Sequence, residues 1–211
     1  MDVCLSIDGC DLPGELDFGE RAIGSVIFAH GSGSSRLSPR NRAVAAELRE
    51  RGFATLLFDL LTEEEARHRT NVFDIPLLGR RVCGAVRWAR ENADIGDLPI
   101  GLFGASTGAA AALVAAAEIP NEVAAVVSRG GRPDLAGGWL ARVKCPTLLV
   151  VGGADTEVLT LNRVAFSKLR AKKSLEIVPG ATHLFEELGA LDQVVELAAT
   201  WFQGAFDAMR P

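Results

Sequence analysis

Histidine is scarce in this chain of 211 residues: only His30, His68 and His183 occur. They stand far apart, so no metal-binding motif can be read from them and no metal is expected. Cysteine is nearly as rare, and Cys4, Cys10, Cys83 and Cys145 form no C-x-x-C pair. They read as reduced thiols rather than a disulfide framework, and a cytoplasmic location is expected. There is no excess of basic residues either. Lys and Arg number 22 against 27 Asp and Glu, a formal net charge of −5, which excludes a dedicated nucleic-acid binder. The start, Met1-Asp2-Val3-Cys4, lacks the basic and apolar regions of a signal peptide. The alanine-rich run 109–117 is too short to span a membrane, so neither a leader nor a membrane partner is expected. Low-complexity tracts, internal repeats and linker-like stretches are also missing. With 48% hydrophobic and 23% charged residues, the chain suits one domain over 1–211 with a well-buried core.

Short apolar runs alternate with helical patterns along nearly the whole length. Residues 3–7 and 15–18, separated by the turn-rich 8–14, predict an edge hairpin. Continuous apolar runs at 25–29 and 54–58 predict strands buried on both faces, and further strands are predicted at 99–103, 123–127, 146–151 and 174–178. Between them, Ser38-Pro39 opens a helix that Gly52 stops, and Asp74 caps another over about 75–91. Further helices are predicted over 107–118, 161–169 and 188–202, with 128–144 irregular. The acidic Glu63-Glu64-Glu65 in the connection 60–71 reads as a solvated face without chemistry. Strands joined by helical crossovers make a mostly parallel sheet with helices on both faces, an α/β fold.

In such sheets ligands bind at the carboxyl ends of the strands, and four segments there carry chemistry. Gly104-Ala105-Ser106-Thr107-Gly108 has the G-x-S-x-G form of a nucleophile elbow between strand and helix. Ser106 could instead only cap the helix. Asp155 follows the strand 146–151 and Gly152-Gly153, and His183 follows the strand 174–178. The order Ser106, Asp155, His183 is that of a hydrolase triad, in which an imidazole takes the serine proton and a carboxylate orients the imidazole. Taken singly, Asp155 could cap a turn and His183 could be an ordinary loop residue. The fourth segment, Gly31-Ser32-Gly33-Ser34-Ser35-Arg36, has arginine in place of the third glycine of a dinucleotide loop and lacks the lysine of a P-loop. It reads better as an oxyanion loop, with the N–H of Ser32 and the N–H of Thr107 as donors and His30 as its brace. No cofactor is called for. Arg129 and Arg132 lie beyond the strand 123–127, where one of them could hold an anionic group of a substrate. Otherwise both pin the Gly130-Gly131 turn, with Asp134 as partner.

Phe28-Ala29-His30-Gly31-Ser32-Gly33, the elbow, Ser128-Arg129-Gly130-Gly131-Arg132-Pro133-Asp134, Val151-Gly152-Gly153-Ala154-Asp155 and Gly180-Ala181-Thr182-His183 together resemble the α/β-hydrolase superfamily. Within it they resemble the small dienelactone-hydrolase-like group. The resemblance implies an eight-stranded sheet with an antiparallel edge, no large lid domain, and a triad on Ser106, Asp155 and His183. The chain departs from true dienelactone hydrolases, which carry cysteine where Ser106 stands. The expectation is a cofactor-independent serine hydrolase acting on a small soluble ester, thioester or lactone. The alternatives are an acyltransferase with the same triad and a non-catalytic binding protein of the same fold. With only 128–144 available for a lid, a shallow, open site is expected.

Overall fold

The apolar runs become the centre of one sheet because neither of their faces can be left in water. The computed structural model describes residues 1–209. Its strands are β1 (Asp2–Ile7), β2 (Cys10–Asp17), β3 (Ser25–Ala29), β4 (Ala54–Phe58), β5 (Ile100–Ala105), β6 (Ala125–Arg129), β7 (Thr147–Gly152) and β8 (Lys173–Val178). They form a single eight-stranded sheet in the order β1-β2-β4-β3-β5-β6-β7-β8. Pairing is parallel from β4 through to β8, and β1 and β2 add an antiparallel edge. All five residues of each of β3, β4 and β6 are buried.

Side chains alternate across this sheet into two apolar layers. Val26 and Phe28 of β3 face α1 (Pro39–Glu50) and α7 (Ala190–Asp207), where Leu48, Phe202 and Phe206 close the layer. Ile27 and Ala29 face the opposite layer, built on α4 (Ile75–Glu91) and α5 (Thr107–Glu118) with Ala165 of α6 (Thr156–Lys168). α5 is buried at every position from Thr107 to Ala117. Its run of alanines allows a helix to lie close to the sheet and to α4 at once. Capping follows chemistry legible in the sequence: Ser38 accepts from the N–H of Asn41 at α1, and Asp74 from the N–H of Leu77 at α4.

Several boundaries differ from the sequence expectation. β2 begins at Cys10, not 15, because Asp8 and Gly9 alone make the turn, both at positive φ. Pro13 fits inside this strand because it lies just beyond the pairing with β4, where its carbonyl accepts from the N–H of Asp59. β6 runs on to Arg129, since Ser128 and Arg129 keep their parallel pairing with Gly104 and Ala105 although the apolar run has stopped. α6 starts directly after Asp155, and α7 extends to Asp207. Residues 133–142 form a 3-10 segment kinked at Gly137. The connection after β4 folds into two single-turn helices, α2 (Glu63–Ala66) and α3 (Arg69–Val72). Among the described residues no helix is long and apolar enough to cross a membrane.

Candidate active site

Ser106 stands between the carboxyl end of β5 and the first turn of α5 with φ 51° and ψ −124°. A left-handed conformation in a residue with a Cβ is strained by about 1–3 kcal/mol and persists only where the surroundings enforce it. The surroundings here are backbone. Ser106 N–H donates to the carbonyl of Arg129 at 3.3 Å, and its carbonyl accepts from the N–H of Arg132 at 3.0 Å. The flanking glycines are required by space. A Cβ on Gly104 would lie 2.4 Å from Cα of Ala109, and one on Gly108 would lie 2.1 Å from the carbonyl oxygen of Ala29. Ser106 makes no side-chain cap for α5, so its hydroxyl is not spent on the helix.

Asp155 also precedes a helix without capping it. Its Oδ2 instead accepts from His183 Nδ1 at 2.7 Å. A carboxylate can only accept, so Nδ1 carries the proton and Nε2 presents its lone pair. The two loops meet because Gly152 lets the carbonyls of Ala181 and Thr182 approach the end of β7. The histidine loop also rests on the end of β6. A Cβ on Gly130 would be 2.9 Å from the carbonyl oxygen of His183, one residue from the Arg129 carbonyl that holds Ser106. Among the described residues Ser106 Oγ has no hydrogen-bond partner.

The glycine-rich loop after β3 packs directly on the elbow, where a Cβ on Gly31 would sit 2.9 Å from Cβ of Ser106. His30 braces it from beneath. Its Nδ1 donates to the Gly31 carbonyl at 3.0 Å and its Nε2 accepts from the N–H of Leu60 at 3.1 Å. Burial holds its pKa below the ordinary histidine value, against the opposing pull of the Gly31 carbonyl and the Asp59 charge. His30 is therefore a neutral strut and not a proton carrier. Ser32 and Thr107 are brought together as the sequence predicts, but in an unforeseen arrangement: the N–H of Ser32 donates to Thr107 Oγ1 at 2.8 Å. The N–H of Thr107, in the first turn of α5, has no acceptor within its helix.

The expectation of a shallow site needs correction. A cavity of about 540 Å³ opens beside Ser32 and Thr107 and runs under α2 and α3, with Leu60, Leu61, Ala66, Val72 and Leu78 among its walls. The polar connection 60–71 is thus a small cap. Thr62 and Glu65 form a reciprocal capping box at α2, and Glu65 also receives the buried Arg81 of α4 at 2.8 Å. Desolvation opposes the charge, but the Thr62 N–H and Arg81 together draw the Glu65 carboxyl below its usual range. Arg36 on the cavity wall is neutralised by Asp59 at 2.6 Å. His68 is exposed. Among the described residues no group of His, Cys, Asp and Glu could hold a metal ion.

The two arginines have different fates. Arg132 is held by Asp134 through paired bonds of 2.9 Å each, which raises its pKa further, so it braces its loop and is not presented as a substrate anchor. Arg129 is 6% exposed and donates to Asn41 Oδ1 at 3.2 Å. Desolvation, and then the neighbouring charge of Arg40, push its pKa down to about 10. Asp134, the other carboxylate near the elbow, is occupied by Arg132, which leaves Asp155 as the partner of His183.

Comparison with known proteins fits this geometry. Residues 22–198 match the alpha/beta hydrolase domain family. The crystal structure of dienelactone hydrolase from Anabaena variabilis is similar over 97% of this chain and 96% of its own, with 54% identity and a TM-score of 0.93. Est1E from Butyrivibrio proteoclasticus shares the fold at 19% identity, over 98% of this chain and 99% of its own, with a TM-score of 0.82. Two Mycobacterium tuberculosis proteins, from strains CDC 1551 and H37Rv and provisionally named phosphoribosyl transferases, are 59% identical over 189 residues. That match covers 90% of this chain but 43% of theirs, so the chain spans less than half the length of those relatives. On the match over 22–198, the eight-stranded sheet and the strained serine at the end of β5, the chain belongs to the alpha/beta hydrolase family.

Proposed function

We propose that the protein is a serine hydrolase that cleaves a small carboxylic ester, thioester or lactone through an acyl-enzyme on Ser106. The observation that carries this reading is the His183–Asp155 bond of 2.7 Å together with a serine in strained geometry, the His183 loop resting on Gly130 next to the Arg129 carbonyl that holds the Ser106 N–H. Ser106 Oγ attacks the substrate carbonyl carbon as His183 Nε2 takes its proton. Asp155 holds the tautomer and stabilises the imidazolium. Collapse of the tetrahedral adduct breaks the bond to the leaving group, which takes the proton from Nε2. Water, deprotonated by the same nitrogen, then attacks the acyl carbon and releases Ser106. Donors near Ser32 and Thr107 bear the oxyanion at the positive end of α5. The cavity under α2 and α3, apolar along one side and with Arg36 already neutralised, suits an uncharged apolar group on one flank of the scissile bond.

An acyltransferase would use the same residues with an alcohol as acceptor, and the open rim at Ser32 favours water. Phosphoribosyl transfer, the activity in the provisional name of the mycobacterial relatives, is not proposed for this chain, which spans 43% of their length. The deciding experiment labels the protein with a fluorophosphonate and follows hydrolysis of short p-nitrophenyl esters. Labelling at Ser106 is expected. In Ser106→Ala, labelling should vanish and turnover should fall to the roughly 10³-fold over water that binding and oxyanion contacts alone supply. A folded Ser106→Ala variant with full activity would refute the assignment, and an unlabelled, inactive wild type would favour a binding protein.

A further inference from the structure

The hydrogen bond between Ser32 and Thr107 changes which atoms can hold an oxyanion. The sequence points to two backbone donors, the N–H groups of Ser32 and Thr107. In the structure the Ser32 N–H is already committed, at 2.8 Å, to Thr107 Oγ1. A hydroxyl has one proton to give as well as lone pairs to accept with. Thr107 Oγ1 accepts from Ser32, and among the described residues its own O–H has no acceptor. Thr107 is 4% exposed, yet it lines the cavity beside the elbow. Its proton is therefore free to be turned into the cavity, where an oxygen of the substrate can accept it.

We propose that the Thr107 hydroxyl is a catalytic residue, donating its proton to the tetrahedral oxyanion alongside the Thr107 N–H, with the Ser32 N–H polarising it from behind. The inference rests on the serine-hydrolase reading of Ser106. No bond to Thr107 forms or breaks: the chain from Ser32 N–H through Oγ1–H to the oxyanion is made of hydrogen bonds only. Each donation strengthens the next. The negative charge exists only in the transition state, so the effect belongs in kcat and not in KM.

Three variants test this: Thr107→Ser, Thr107→Val and Thr107→Ala, each followed by thermal melting, fluorophosphonate labelling rate, and kcat and KM on p-nitrophenyl acetate. Removing one oxyanion donor costs about 10²–10³-fold in kcat. That loss is expected in Thr107→Val and Thr107→Ala, with KM near the wild-type value and labelling slowed in parallel. Thr107→Ser should recover most of it. Should Thr107→Val fail to fold, the alanine and serine variants decide the matter. The alanine variant frees the Ser32 N–H without adding bulk. If its kcat stays at the wild-type level or rises, Ser32 is itself the donor and the proposal is overturned. A Thr107→Ser variant as slow as Thr107→Val would also overturn it, by placing the effect in the lost methyl. Wild-type protein that neither labels nor turns over would overturn the hydrolase reading first, a result visible before any variant is made.

Discussion

Gly108 is where fold and chemistry meet most tightly, and Gly108→Ala should damage both. A Cβ there would stand 2.1 Å from the carbonyl oxygen of Ala29 and 2.5 Å from that of His30. Both obstacles are main chain, so no change of rotamer relieves the clash. The first turn of α5 must back away from the end of β3 by about 1 Å to reach ordinary contact, an overpacking cost of roughly 1–3 kcal/mol. The same shift pulls Thr107 away from Ser32, now bonded at 2.8 Å. A misplacement of that size costs activity about 10²-fold. Gly204→Ala is the internal control. Gly204 lies in α7, and a methyl group there would meet nothing within 4 Å, so alanine should stabilise by about 0.5–1 kcal/mol through helix propensity alone. Urea unfolding gives both midpoints and slopes, and ester turnover gives activity. A Gly108→Ala protein with the wild-type midpoint, or one that is destabilised yet fully active, would refute the argument that this contact sets the site.

His30 supplies a pH dependence. Its folded pKa lies below the unfolded value of 6.5 because burial disfavours the charged ring, so the unfolded chain binds the proton more readily. Stability is therefore full above about 6.5 and falls as pH drops below it. Urea midpoints at pH 7.5 and 5.5 should show this fall in the wild type and a smaller one in His30→Gln, and identical falls would remove His30 as the cause. Arg129, held at about 10 instead of 12.5 by burial and then by the charge of Arg40, bears a net charge penalty of roughly 3 kcal/mol. Arg129→Met should leave stability level or raised, and should not alter the preference between a carboxylate-bearing ester and its neutral match. A KM increase confined to the anionic ester would show that the guanidinium reaches the substrate.

The central sheet and the pairing of His183 with Asp155 were legible because each rests on a local signal. Uninterrupted apolar runs need burial on both faces, Ser106 follows such a run directly, and Asp155 and His183 lie in the loops after the next strands at the same sheet edge. What escaped depends on neighbours distant in sequence. Glu63-Glu64-Glu65 reads as solvated, yet Glu65 is tied to Arg81 and carries the cap over the cavity. A clue was present, since Thr62 and Glu65 have capping-box spacing. Pro13 and Gly14 read as a turn, and only the end of the β4 ladder explains why a strand tolerates them. The direction of the Ser32 N–H could not be read from any pattern, because it is fixed by a helix that begins 75 residues later.

The sheet order has a consequence for how activity arises during synthesis. β5, which delivers Ser106, pairs with β3 on one side and β6 on the other, so the elbow can be framed while the rest of the chain is still on the ribosome. His183, the base of the proposed mechanism, arrives from beyond β8, the far edge strand and the last of this sheet in sequence, docked on β7. A nascent or truncated chain can therefore expose a shaped but unactivated serine. On the proposed mechanism, turnover would begin only when this last strand of the sheet and its histidine loop close on Gly130, and ester hydrolysis would then report on completion of the sheet.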